Sequence, residues 1–209
     1  NLKEAIKIAH TGRPGPVWID IPLEFHWSDI QHHDNALVQV IKGKKKKTTD
    51  NNQKYSETLE LLNTSKRALF VLGYGVRLSG CVDILEELIT KNNIPFVTTW
   101  TASDLFSTET LLNLGIIGMS GQRGANRAVF HSDLLICLGT HLSIPHTTTL
   151  FDTYSPDSKK IIVDIDASEL QKKTVSADIA INTDAKIFIK ALMDGVLDEN
   201  IPDYNKWIA

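Results

Sequence analysis

The sequence predicts an α/β fold, an open parallel sheet with helices on both faces, and three observations carry that expectation. Runs such as Leu69-Phe70-Val71-Leu72 and Leu134-Leu135-Ile136-Cys137-Leu138 are apolar at every position, the mark of strands covered on both sides. Segments with apolar residues at helical spacing separate those runs, and helix alternating with strand is the pattern of parallel sheets. Glycine follows three of the predicted strand ends, at Gly73-Tyr74-Gly75, at Gly118 and Gly121, and at Gly139, where the chain must turn tightly.

Taken in order, Leu2, Ala5, Ile6 and Ala9 share a helical face that Gly12 and Pro14 end. Val17-Trp18-Ile19-Asp20-Ile21 lies between prolines and reads as a buried strand. One strand and one helix cannot make a core, so this stretch is expected to close a domain lying upstream. Residues 43–54 are polar and charged and predict a linker, with Lys44 to Lys47 as solvated charges. A repeat then begins: a helix from Tyr55, a strand at 67–72, a helix at 82–90, strands at 95–99, 134–138, 161–165 and 178–181, and helices at 124–131 and 185–193. The expected organisation is a first-domain remnant with linker at 1–54, an α/β domain at 55–196, and a connection onward at 197–209 in which Pro202, Tyr204 and Trp207 are spaced to dock.

Composition excludes several classes of function. A content of 42% hydrophobic and 22% charged residues is globular, and a net charge of -3 gives no pull toward nucleic acid or anionic membrane. No apolar run nears the ~20 residues of a bilayer span, and no basic start with an apolar signal core is present. Cys81 and Cys137 form no Cys-x-x-Cys pair, so zinc has no support. Cys137 reads as a small core residue suited to a reducing compartment, and the expected location is cytoplasmic.

Candidate ligand contacts lie at the carboxyl ends of the predicted strands, where open parallel sheets bind their ligands. Gly73, Gly75, Gly118, Gly121 and Gly139 would let backbone N–H groups approach a phosphate, and ordinary tight turns explain them equally. The dinucleotide fingerprint is incomplete, since Leu78 stands where a third glycine belongs. Asp164 and Asp166 alternate along a strand and face opposite ways. Asp166 fits a cap with Glu169. His141 and His146 follow a buried strand but have neither metal-ligand spacing nor a paired base. No P-loop, nucleophile-elbow or His-Glu-x-x-His pattern occurs.

Four stretches occur in a telling order: Gly12-Arg13-Pro14-Gly15-Pro16-Val17 with Asp20-Ile21-Pro22, then Gly118-Met119-Ser120-Gly121-Gln122-Arg123-Gly124-Ala125-Asn126, then Ser132 through Gly139, then Ile162-Val163-Asp164-Ile165-Asp166. Together they resemble the thiamine-diphosphate enzymes of the acetolactate synthase family, at the end of the first, pyrimidine-binding domain and in the Rossmann-like central domain. The resemblance implies a parent that decarboxylates a 2-keto acid such as pyruvate and transfers a two-carbon unit, with thiamine diphosphate and Mg²⁺ held by N- and C-terminal domains outside this segment. It also implies a homo-oligomer. The 209 residues contain no Gly-Asp-Gly, so the segment alone is expected to be inactive. In some members the central cleft holds FAD or ADP, and the resemblance places Asp166 beside it. Flavin-binding members usually carry arginine where His141 stands and histidine where Ser120 stands. The Gln122-to-Asn126 variant is most similar to members associated with bacterial surface-polysaccharide synthesis. Two rivals remain, an independent NAD-, FAD- or ADP-binding module and a purely structural interaction domain.

Overall fold

Helix α1 (Leu2–Ala9) forms where the apolar spacing predicts it, yet none of its residues is buried. Residues 14–22 carry no regular secondary structure; Trp18 is 86% exposed, and Val17, Ile19 and Ile21 are exposed with it. The expected buried strand at 17–21 is therefore neither a strand nor buried here, because only a partner's hydrogen bonds complete a strand. This stretch belongs to a unit comprising Asn1–Lys47, and the second unit is Thr48–Ala209. The structure, a computed structural model, describes residues 2–27, 51–195 and 202–208. The lysine run at 44–47 and most of the predicted linker lie outside the described residues.

The second unit runs through α2 (Asn52–Thr64), β1 (Ala68–Leu72), α3 (Gly75–Leu78), α4 (Val82–Lys91), β2 (Phe96–Thr98), β3 (Asn113–Ile116), α5 (Arg123–His131), β4 (Leu134–Leu138), α6 (Ile144–Thr147), β5 (Lys159–Asp164), β6 (Ile179–Asn182), α7 (Ala185–Asp194) and α8 (Asn205–Ile208). The strands form one six-stranded sheet in the order β3-β2-β1-β4-β5-β6, and every pairing is parallel. Its wholly apolar strands send alternate residues to two cores. Ala68, Phe70 and Leu72 of β1 meet Leu62 of α2, Leu85 and Ile89 of α4, and Phe188 and Ile189 of α7. Leu69 and Val71 face the other way, toward Ala125, Ala128 and Val129 of α5. Each such aliphatic or aromatic side chain contributes about 1.5–3 kcal/mol by burial, so helices on both faces are what make these runs stable as strands.

The short helices α3, α6 and α8 were not expected, and strand β3 is the strand the sequence did not announce. All four of its residues are only partly covered, as suits an edge strand, so no apolar run marks it. Both sheet edges carry their own stoppers. On β6 the Ala180 carbonyl accepts from Lys54 Nζ at 2.6 Å and the Asn182 carbonyl from Asn51 Nδ2 at 3.3 Å. On β3 the Gly115 N–H donates to Asn113 Oδ1 at 3.1 Å and the Ile116 N–H to Gln122 Oε1. Side chains that use up edge groups deter pairing with a further strand.

Helix α2 spans the sheet from one rim to the other. It starts beside the carboxyl end of β6, where Asn51 meets Asn182. It ends at the amino rim, where the N–H groups of Lys66 and Arg67 each donate to the Asp133 carboxylate at 2.8 Å, just ahead of β4. Tyr204, fully buried, returns to that same end: its hydroxyl donates to the Leu62 carbonyl at 3.0 Å and lies 3.3 Å from Ser65 Oγ. Trp207 packs against the core on the opposite face of the sheet.

Candidate functional site

The strand order reverses between β1 and β4, the place where an open parallel sheet opens a crevice at its carboxyl rim. Here the two loops that border it are in contact. The Gly73 N–H donates to the Leu138 carbonyl and the Gly75 N–H to the Gly139 carbonyl, both at 3.0 Å, while the Gly139 N–H donates to the Val163 carbonyl at 3.0 Å. A Cβ on Gly73 would stand 2.2 Å from the Gly139 oxygen, and one on Gly75 would stand 2.7 Å from the Gly139 Cα. Gly139 itself has φ +57°. Backbone-to-backbone packing requires glycine at these three positions.

Gly118 and Gly121 form a second cluster. Gly118 has φ +104°, and a Cβ there would stand 2.3 Å from the Pro145 carbonyl oxygen. Its N–H donates to Asn126 Oδ1 at 2.8 Å and its carbonyl accepts from Asn126 Nδ2 at 2.9 Å. The Gly121 N–H closes back on the Gly118 carbonyl at 3.0 Å, and the Met119 N–H reaches the Pro145 carbonyl at 2.8 Å. Gln122 and Asn126, the residues of the sequence variant noted above, thus shape this turn from within: Gln122 holds Ile116 at the β3 edge and Asn126 holds Gly118.

Asp166 sits in a separate turn, because β5 ends at Asp164 rather than continuing. The Asp166 N–H donates to Asp164 Oδ1 at 2.8 Å, and its own Oδ1 accepts from Ser168 N at 2.9 Å and Ser168 Oγ at 2.7 Å. The Asp166 carboxylate thus closes a tight turn on Ser168, while the 3₁₀ turn Glu169–Gln171 that follows starts from Ser168 without a side-chain cap bond. Glu169 Oε2 instead lies 2.8 Å from His141 Nδ1 and also contacts Lys172 Nζ. Lys172 Nζ in turn lies 2.8 and 3.1 Å from the two His141 ring nitrogens. His141, Glu169 and Lys172 come from two loops nearly thirty residues apart in sequence, with no periodicity to reveal them.

His146 stands edge-on to Trp100, ring centroids 5.2 Å apart and planes at 75°. Its Nδ1 lies 3.0 Å from Ser143 Oγ, while its Nε2 is buried without a hydrogen-bond partner. Burial, with a smaller contribution from His141, holds its pKa below the usual histidine value. Among the described residues no group of three or more His, Cys, Asp or Glu side chains is placed to hold a metal ion. No helix among them is long and apolar enough to cross a membrane.

Comparison with known proteins accords with this architecture. Residues 55–192 match the family model for the thiamine pyrophosphate enzyme central domain. The chain is 34% identical over 209 residues to the probable acetolactate synthase large subunit of Methanocaldococcus jannaschii, covering 99% of this chain and 35% of that protein. It is 33% identical over 211 residues to the acetolactate synthase large subunit of Lactococcus lactis, with coverage of 99% and 35%. Against the acetolactate synthase of Mycobacterium bovis it is 33% identical over 201 residues, with coverage of 96% and 32%. The chain spans about a third of the length of these curated relatives.

Proposed function

We propose a function from one premise: the chain belongs to the thiamine pyrophosphate enzyme family and supplies its central domain. On that premise the parent protein decarboxylates a 2-keto acid such as pyruvate and passes the two-carbon unit to an acceptor, as the names of the acetolactate synthase relatives imply. The observation that carries the reading is the match of acetolactate synthase large subunits along the whole chain, across both units rather than the sheet alone. Thiamine diphosphate, when bound, supplies the electron sink for decarboxylation. Its partners, including the Gly-Asp-Gly motif for Mg²⁺ and diphosphate, belong to other parts of the parent, since these 209 residues contain no such motif.

This chain's own contribution is mechanical. The six-stranded unit braces the two cofactor-holding domains, and the exposed apolar run at Val17, Ile19 and Ile21 completes an upstream sheet. We place the parent in the cytoplasm as a homo-oligomer, in keeping with two buried, unpaired cysteines. The Gln122 and Asn126 variant has a local structural role, so no polysaccharide pathway is proposed from it. The test is pyruvate consumption with thiamine diphosphate and Mg²⁺, measured for the full-length parent and for the 209-residue chain. The parent should turn over and the chain should not; turnover by the chain above a no-protein control would place catalytic groups inside it and overturn the brace.

A further inference from the structure

Exposed apolar side chains scattered singly over a surface need no explanation, but a group of them held in one place does. At the carboxyl rim Trp100, Met119 and Ile144 follow β2, β3 and β4, and they remain 49%, 77% and 50% exposed. One short segment gathers them. Ile144 opens α6, the Met119 N–H donates to the Pro145 carbonyl at 2.8 Å, and the Trp100 ring stands 5.2 Å from that of His146 between centroids. Shortly after Trp100, Asp104 pairs with Arg77 at 2.7 Å, so the apolar group has charge at its border, as protein interfaces do.

The loop that carries Met119 is held firmly. Gly118 is bonded twice to Asn126, at 2.8 and 2.9 Å, and the Gly121 N–H closes on the Gly118 carbonyl at 3.0 Å. Such fixing presents the methionine to a partner in one place and spares the ordering cost that binding otherwise carries. A small molecule is taken by a concave pocket that buries most of it. A methionine that projects from a fixed loop is a knob, and its complement is another protein surface.

Size decides which protein surface. Three side chains left half exposed or more offer roughly 300 Å², well short of the ~800 Å² per partner in a stable complex of free proteins. A partner joined to the same polypeptide needs less, because tethering supplies an effective concentration of about millimolar. The relatives that match 99% of this chain are covered by it over only 35% of their own length, so a protein of that kind has most of its mass tethered to this unit. We infer that the patch formed by Trp100, Met119 and Ile144 docks against a cofactor-holding domain of the same parent, with Met119 as the inserted knob. This rests on the family reading given above and adds to it the surface through which the unit acts as a brace.

The experiment is methionine oxidation by dilute hydrogen peroxide, read by peptide mass spectrometry, on the full-length parent and on the 209-residue chain. Peroxide passes one oxygen to the thioether sulfur and leaves as water, giving the sulfoxide. The chain has two methionines, and Met193, packed against the core of the six-stranded unit, is the internal reference. Relative to Met193, Met119 should oxidise at least about tenfold more slowly in the parent than in the chain, in keeping with burial of the sulfur. A benzophenone amino acid in place of Met119 should then crosslink, in the parent, to a peptide outside these 209 residues. Equal oxidation of Met119 in parent and chain overturns the inference. So does protection in the chain that grows with its concentration, or a crosslink between two copies of this rim, because the occupant would then be a second copy. Failure of the family reading would show separately, as a parent that consumes no pyruvate, whereas failure of the docking would leave turnover intact and Met119 open to peroxide.

Discussion

Replacing Gly73 by alanine adds one methyl group at the tightest point between β1 and β4. The new Cβ would lie 2.2 Å from the Gly139 oxygen and 2.5 and 2.6 Å from Cα and Cβ of Thr140, against the roughly 3.5–4.0 Å at which carbon atoms rest. Most of these obstacles are backbone, so no side chain can swing aside to make room. Overpacking of this kind costs about 1–3 kcal/mol. Parting the strand ends also stretches the bonds from the Gly73 and Gly75 N–H groups, both 3.0 Å, forfeiting about 1 kcal/mol each. The sum is about 3–5 kcal/mol, a large share of the ~5–15 kcal/mol by which a domain is stable. With a urea m-value of about 2 kcal/mol/M, the midpoint should fall by roughly 1.5–2.5 M. Gly124→Ala is the control, because a Cβ there meets nothing within 4 Å and alanine favours helix, so its stability should hold or rise by up to about 1 kcal/mol. Equilibrium urea unfolding followed by circular dichroism reads both variants. A loss for Gly73→Ala of less than about 1 kcal/mol, within the range of ordinary surface changes, would refute the reasoning.

Tyr204→Phe keeps the buried ring and removes the hydroxyl bonded to the Leu62 carbonyl, so it should cost about 1 kcal/mol in thermal or urea unfolding; no change would mean that this bond holds nothing. Burial pushes the Cys137 thiol up to about 12 and raises that of Cys81 as well, so both should resist a disulfide reagent until urea unfolds the chain, and rapid labelling in native buffer would contradict their placement. For Asp178, burial works to raise the pKa but is outweighed by the Lys160 N–H at 2.9 Å and the Lys159 ammonium at 3.0 Å, which together hold the carboxyl below 3.8. A depressed folded value stabilises above the unfolded pKa and is lost as pH falls through the folded one. Asp178→Asn should therefore cost at most about 1 kcal/mol at neutral pH, given its partial exposure, and the difference should shrink below about pH 4; a difference as large at about pH 3 would show that the carboxylate charge is not what stabilises here.

The sheet was legible because its central strands are apolar at every position, a pattern that only two-sided burial rewards. Strand β3 was not, because Asn113-Leu114-Gly115-Ile116 sits at an edge where half its surface needs no apolar cover. The rim glycines could be picked out as turns, but their engagement with each other depends on which strand lies beside which, and Gly73 meets Gly139 only because β1 pairs with β4. Asp166 was read as lying within a strand, whereas its backbone N–H is drawn to Asp164 Oδ1 and the strand stops two residues sooner. The grouping of His141 with Glu169 and Lys172 left no trace in the sequence, because it joins two loops through side chains with no shared period.

The chain joins the six-stranded unit at the two ends of one helix, Asn51 fastening the start of α2 and Tyr204 its finish. The rise from Asn52 to Leu62 is about 15 Å at 1.5 Å per residue, and that length is a gauge between the points of arrival and departure. Inserting a single residue into α2 would lengthen the gauge by about 1.5 Å and swing the Leu62 carbonyl about 100° around the axis, out of reach of the Tyr204 hydroxyl. A surface helix can ordinarily drift in length over evolution by trading with its loops. This one is calibrated at both ends, so a change in its residue count has to be answered by a change in where the chain leaves the sheet.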